Sequence, residues 1–224
     1  MEAGVIGIVE ENFDSLQSFT DTRRKNGFKL KRGLQIKRRY SDPDGRTIVA
    51  GRAAIEKVEE EEEVSFQDGE IIAREKPMKR GYYTNFVTVS GSFVIVSSGK
   101  GSFAFDLISE QVGTSIERAE IDLSNLTKNI DHANPWQIGF YNNSGLAKKG
   151  TVYGEELLND SEIGEVFKRS ENNQLGLLFS GVNGEEIQMT ATESGYVEIY
   201  QPSSYDTEDF IQFLTEFIIP CISG

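Results

Sequence analysis

One cysteine and one histidine occur in 224 residues, and each scarcity closes off some chemistry. Cys221 alone permits no internal disulfide, and a lone thiol fits a reducing compartment better than an oxidising one. His132 alone rules out a two-histidine metal site and leaves any histidine-based triad dependent on one side chain. Long apolar runs are also missing. No stretch approaches the ~18–20 residues of a spanning helix, and Met1 to Val9 has no basic n-region and too short an apolar run for a signal peptide. A cytoplasmic protein with no membrane partner is the expectation. At this length the chain buries a full core without a staple, so no metal or other cofactor is expected. With 38% hydrophobic and 26% charged residues, a wholly disordered chain is excluded.

Catalytic signatures are thin. Gly99-Lys100-Gly101-Ser102 has the residue types of a phosphate-binding loop but not its spacing, and it reads as a hairpin turn between two strands. Asp68, Glu70, Glu75 and Lys76 are groups that hold Mg²⁺ and orient water. Glu75 and Lys76 are adjacent, however, so on a strand they face opposite sides. No catalytic residue is assigned, and a non-enzymatic protein is expected.

What sets the chain apart is how unevenly its charge is placed. The formal net charge is −13, yet Arg23 to Arg52 holds eleven Lys and Arg against only Asp42 and Asp44. Directly behind comes Glu56, then Glu59 to Glu63, opposed only by Lys57. Such a molecule repels nucleic acid on most of its surface, while a localised basic face still attracts phosphate within a Debye length, about 8 Å at physiological salt.

Periodicity assigns that face to a sheet. Phe28-Lys29-Leu30-Lys31 and Leu34-Gln35-Ile36-Lys37 alternate, turning Phe28, Leu30, Leu34 and Ile36 inward and the lysines outward. Before them, Val5 to Val9 reads as a strand. Glu10 to Lys25 reads as a helix with Phe13, Leu16 and Phe19 on one side, stopped by Asn26-Gly27. A turn at Ser41 to Gly45 leads into a short strand, Thr47 to Ala50. Residues 53–63 read as a solvated helix or an unfolded connector, because five consecutive glutamates repel and carry no apolar stripe. A β-meander follows: Tyr82 to Val89, Phe93 to Ser97 and Phe103 to Ile108.

Thr114 to Glu117 has the form of a capping box, with Ile116, Ala119, Leu123, Leu126 and Ile130 at helical spacing behind it. Strands are expected at Trp136 to Tyr141, Gln174 to Ser180, Glu186 to Ala191 and Tyr196 to Tyr200. A helix runs from Asn159-Asp160 to about Arg169, and Asp206 caps a last helix that covers the sheet and stops at Pro220. The fold class is α+β: two similar lobes of antiparallel sheet, 1–132 and 133–224, with helices on one face. This arrangement resembles the topology of TATA-box-binding-type folds, a likeness of fold that implies no function.

The functional expectation is a non-enzymatic binding or regulatory protein that engages nucleic acid or another polyanion through a basic β-face. Arg23, Arg24, Lys29, Lys31, Lys37, Arg38 and Arg39 supply phosphate contacts, and Tyr40 adds a stacking edge. Two other readings stay open. The cations pair with the chain's own acids, Glu59 to Glu63 above all; or the acidic surface acts as a nucleic-acid mimic, inhibitor or assembly subunit for a basic protein. Homo-oligomer formation is left open.

Overall fold

The computed structural model describes residues 2–9, 11–13, 15–130, 132–181 and 184–223. Antiparallel strand predominates, with four α-helices among the described residues, so the fold is α+β. Residues 9–96 with 100–116 form one unit, and residues 1–8, 97–99 and 117–224 the other. The first strand, β1 (Ala3–Val9), belongs to the latter apart from its last residue.

Two-residue turns set the register of the basic unit. Its strands are β2 (Phe19–Lys25), β3 (Phe28–Ser41), β4 (Thr47–Gln67), β5 (Glu70–Val89) and β6 (Phe93–Val96), side by side in that order and antiparallel. Asn26 (φ 51°) with Gly27 (φ 81°), and Asp68 (φ 53°) with Gly69 (φ 84°), both have the paired positive φ of a type I′ turn, whose twist matches the strands it joins. The helix expected from Glu10 to Lys25 does not form; Glu10 and Asp14 lie outside the described residues. The Asn-Gly pair is a hairpin turn and not a helix stop, so Phe19–Lys25 is held by β3. Phe13 and Leu16 are still buried, from an irregular segment that Ser90 secures: its Oγ accepts from Phe13 N at 2.9 Å and donates to Phe13 O at 2.7 Å.

The acidic run is neither helix nor connector but the outer half of β4, paired with β5 from Glu56↔Gly81 to Gln67↔Glu70. Alternation places successive glutamates on opposite faces, and β5 brings cations to them. Lys79 lies 3.1 Å from Glu56, Lys76 lies 3.4 Å from Glu63, and Arg80 pairs with Glu61.

Phe103–Val112 is also corrected, from strand to helix (α1). Phe103, Phe105 and Leu107 fit a period of two, but the buried set includes Phe103, Ala104, Leu107 and Ile108, at the i, i+1, i+4, i+5 spacing of a helical stripe. Gly99–Gly101 is a single 3-10 turn leading into this helix rather than a hairpin turn, and Gly113 (φ 78°) closes it, its N–H bonded to Ser109 O at 2.8 Å. The helix lies against β3 and β4 and so covers one face of the sheet.

The other unit follows its sequence pattern more closely. After β7 (Ile116–Arg118) and α2 (Leu123–Asn129) come β8 (Asn134–Tyr141), β9 (Gly150–Tyr153), α3 (Ser161–Arg169), β10 (Glu171–Ser180), β11 (Glu186–Thr192), β12 (Tyr196–Gln201) and α4 (Thr207–Phe213). The strand order is β1-β12-β11-β10-β8-β9. Asp160 and Asp206 cap α3 and α4 as the sequence indicates, each accepting two backbone N–H bonds. A helix from Ile116 does not form: α2 starts at Asp122, whose carboxylate accepts from Asn125 N at 2.9 Å, and the stretch before it is extended. α4 continues through a π turn and a 3-10 turn to Cys221, and Phe213 and Phe217 pack on Phe179 of β10 with centroids 6.5 and 5.4 Å away. No described helix is long and apolar enough to cross a membrane.

Candidate polyanion interface

Residues directly opposite in an antiparallel pair share a face, so the register sorts the cations. Leu30, Arg32 and Leu34 of β3 align with Arg23, Asp21 and Phe19 of β2 and with Ala53 and Ile55 of β4; this is the face that α1 covers. The open face carries the alternate set. It contains Arg24 opposite Lys29, Thr22 opposite Lys31, Thr20 opposite Gly33 and Ala54, then Arg52 opposite Asn85 and Ala54 opposite Tyr83.

The proposed contact residues therefore divide. Arg24, Lys29 and Lys31 lie together on the open face, exposed and in no ion pair among the described residues. Arg23 is on the covered face: its Nη2 is 2.9 Å from Glu110 Oε2 of α1, and Arg32 Nη1 is 2.7 Å from the same oxygen. Asp21 completes the cluster, 3.3 Å from Arg32. Lys37 is the extra residue of a β-bulge, since Ile36 faces Gly51 and Arg38 faces Ala50. The bulge reverses the alternation beyond it. Arg38 and Tyr40 thus share a side, with the guanidinium 5.1 Å from the ring centroid, while Arg39 turns away and donates to the Leu16 carbonyl.

Between these cations and β5 lies a trough of about 570 Å³. Its floor is small: Gly33, Ala54 and Gly81, and a Cβ on Gly33 would come 2.3 Å from the Phe19 carbonyl oxygen. Lys31, Arg52 and Tyr83 stand around it, the Tyr83 side chain 75% exposed. Sequence reasoning counted Arg52 in the basic stretch without making it a contact residue and missed Tyr83, because residues 53–63, read as a solvated helix or an unfolded connector, are in fact strand paired with β5. One acid borders the trough. Glu56 accepts the Lys31 backbone N–H at 2.6 Å and an Nζ bond from Lys79 at 3.1 Å, and these bonds hold its carboxyl below the usual glutamate range.

The glutamates beyond Glu56 do not return to the basic face. They lie on a two-stranded arm, residues 56–81, which has no neighbouring strand because β3 pairs with β4 only as far as Ile55 and β6 with β5 only from Phe86. The arm carries Glu60, Glu62 and Glu75 on the side continuous with the open face, with no ion pair among the described residues. Beyond them on that side come Val64, Phe66, Ile71 and Ala73; Phe66 is 78% and Ile71 69% exposed. Glu75 and Lys76 fall on opposite sides of the arm, and no group of three or more metal-ligating side chains occurs among the described residues.

In the other unit, Tyr196 and Tyr200 are not beneath the closing helix. Val197 and Ile199 take the buried side of β12, and both tyrosine hydroxyls donate to Glu198, at 3.0 and 3.2 Å. Trp136 lies 6.1 Å from the Tyr200 ring and 6.4 Å from that of Tyr153. His132 is an exposed turn residue with φ 58°, and Cys221 is buried, its thiol pushed up by that burial. No protein family, curated protein or solved structure shows a significant match to this chain.

Proposed function

We propose that the protein is a non-enzymatic binding protein that holds a single nucleic-acid strand, or a similar flexible polyanion, on the open face of β2 to β5. The supporting observation is exposed Tyr83 at a trough that Lys31 and Arg52 also line, with Arg24 and Lys29 farther along the same face of the sheet. Cations that track a backbone beside an aromatic ring on which a base stacks are the two parts of sequence-tolerant single-strand binding. A flat face about four strands wide, roughly 15–20 Å at the ordinary strand spacing, suits a flexible strand. Arg24, Lys29 and Lys31 make no ion pair among the described residues, so their charge is available to phosphate at little cost.

Arg38 and Tyr40 extend the face past the bulge, with Lys37 beside them, whereas Arg23 and Arg39 support the sheet from the other side. A cytoplasmic setting goes with this reading, and the lone buried thiol supports it. The resemblance to two TATA-box-binding-type lobes rests on one shared feature: in each unit an antiparallel meander is followed in the chain by a helix packed on it.

The test is binding of fluorescent single-stranded DNA, single-stranded RNA and duplex DNA at two salt concentrations. Wild type is compared with Arg24→Ala/Lys29→Ala/Lys31→Ala. Single strands are expected to bind at low salt and to be lost in the variant. Absence of binding at low salt, or full binding by the variant, overturns the proposal. A second reading has its own observation, Glu60, Glu62 and Glu75 on one side of the arm with no ion pair among the described residues: a carboxylate surface for a basic protein partner.

A further inference from the structure

Of the described residues that line the trough, only Glu56 is acidic, and a carboxylate set among cations weakens their hold on a phosphate backbone. The fold nevertheless fixes it there. Its Oε2 accepts the Lys31 backbone N–H at 2.6 Å, its Oε1 accepts from Lys79 Nζ at 3.1 Å, and the side chain is 25% exposed. Those bonds, the Lys31 N–H foremost, hold the carboxyl below the usual glutamate range, so at neutral pH it only accepts. A carboxylate has about four acceptor sites, and two bonds leave room on both oxygens. Beside it the surface is open. Gly81 stands opposite Glu56 with no atom within 4 Å of where its Cβ would be, and Ala54 stands opposite Tyr83 one row along the same face. Tyr83 is thus rooted two residues from Gly81, about 7 Å at the rise of a strand.

The backbone of a DNA strand offers a carboxylate nothing but acceptors, so the groups that can satisfy Glu56 are base N–H donors. Adenine and cytosine each set one amino donor beside a ring acceptor, and thymine sets one ring N–H between two acceptors. Guanine sets two donors side by side, N1–H and the N2 amino group, at the spacing of two carboxylate oxygens. An adenine or cytosine in the same place would turn a ring acceptor toward Glu56, and an acceptor desolvated without a donor is costly. We infer that the trough selects guanine from a bound strand: Glu56 accepts N1–H and N2–H, and the base stacks on Tyr83. A two-point, charge-assisted contact of this kind is both strong and geometrically selective. Its acceptor is already ordered by the bonds to Lys31 and Lys79, so binding does not bear that entropy. Gly81 and Ala54 leave the volume that the base fills. The inference rests on the single-strand reading above and adds one selective position to it. Arg24, Lys29 and Arg52 stay indifferent to sequence because they meet phosphate.

The experiment is fluorescence anisotropy of the full chain at low salt with short oligothymidylate strands that carry one central guanine, adenine or hypoxanthine, or none. Wild type is expected to bind the guanine strand about tenfold more tightly than the adenine strand. The hypoxanthine strand should fall between them, since that base keeps N1–H and lacks the amino group. Glu56→Gln replaces one of the two acceptors by a donor, so the preference should vanish while oligothymidylate binds at least as tightly as to wild type. Gly81→Val keeps Glu56 and every cation but fills the space opposite the carboxylate, and it too should lose the preference. Equal affinity for the guanine and adenine strands, or a preference that survives Glu56→Gln, overturns the inference. Thermal melting verifies that each variant is folded. If Glu56→Gln is not, Gly81→Val decides in its place, because the open space around Gly81 admits a side chain without a clash. A wild type that binds every strand equally would overturn guanine selection alone, whereas one that binds none would overturn the single-strand reading as well.

Discussion

Arg23 reaches 2.9 Å from Glu110 on the helix-covered face, while Arg24, the next residue, stands opposite Lys29 on the open one. Arg23→Ala is therefore expected to lower stability, and because both partners are about half exposed the loss should stay below ~1 kcal/mol. Its nucleic-acid affinity should be unchanged. Arg24→Ala should do the reverse. Urea denaturation and fluorescence anisotropy on the two variants read both quantities, and equal binding losses would break the division of faces.

Salt dependence counts the phosphate contacts. With Arg24, Lys29, Lys31 and Arg52 engaged, log K against log salt should have a slope of roughly −3, at about −0.7 per contact for a single strand, and Lys31→Ala should flatten it by about 0.7. Tyr83→Ala should cost about 1–3 kcal/mol of binding with no change in slope, and Tyr83→Phe should retain most of it, because stacking needs the ring and not the hydroxyl.

The two Gly-terminated turns separate local from global stability. Gly27 and Gly69 have φ of 81° and 84°, and no atom lies within 4 Å of where a Cβ would stand on either, so replacement by Ala is opposed by backbone conformation alone, about 1–2 kcal/mol. Gly27→Ala should lower the urea midpoint, since the β2–β3 hairpin is part of the sheet. Gly69→Ala sits at the end of the isolated arm and should speed amide exchange there while leaving the midpoint in place. A matching fall in midpoint for both would show that the arm unfolds together with the sheet.

Three tyrosines should titrate late. Hydrogen bonding to Glu171, with burial and Glu193, pushes Tyr141 up to about 12; burial and then Glu198 do the same for Tyr196, and burial and then Glu185 for Tyr205, each to about 12. A folded value above the unfolded one of about 10 means that this contribution is whole below pH 10 and disappears as pH rises through about 12. Tyrosinate absorbance of the native protein should accordingly show a fraction of the eight tyrosines ionising late, a lag that vanishes in denaturant. At the acid end Glu56 has the opposite sign: held below the ordinary glutamate value of 4.5, it stabilises above that pH and ceases to as pH falls through its lower native value.

Several elements were legible because a single local signal decided them. Asp160 and Asp206 mark helix starts, the alternation of β3 and β11 sorts inside from outside, and Phe210, Phe213 and Phe217 announce a helix that must cover a sheet. Where two local readings competed, the sequence alone chose badly. Asn26-Gly27 ends a helix or turns a hairpin with equal chemistry, and only the presence of β3 as a partner selects the hairpin. The glutamates at 59 to 63 repel one another in any isolated segment. They become a strand because β5 brings Lys76, Lys79 and Arg80 alongside, a pairing across a turn at Asp68-Gly69.

By itself, then, the sequence determined that a basic, alternating strand exists, that Lys29 and Lys31 share one side of it, and that no internal disulfide or two-histidine site is available. Tertiary structure decided which basic residues stand together. Sheet pairing set Arg24 beside Lys29 and Arg52 with Tyr83 around the trough, helix α1 drew Arg23 and Arg32 to Glu110, and the bulge at Lys37 turned Arg39 to the opposite face, toward the Leu16 carbonyl. The reason is physical: a side chain's face follows from backbone parity, which a sequence displays, but the parity acquires a meaning only from what the neighbouring strands and helix cover.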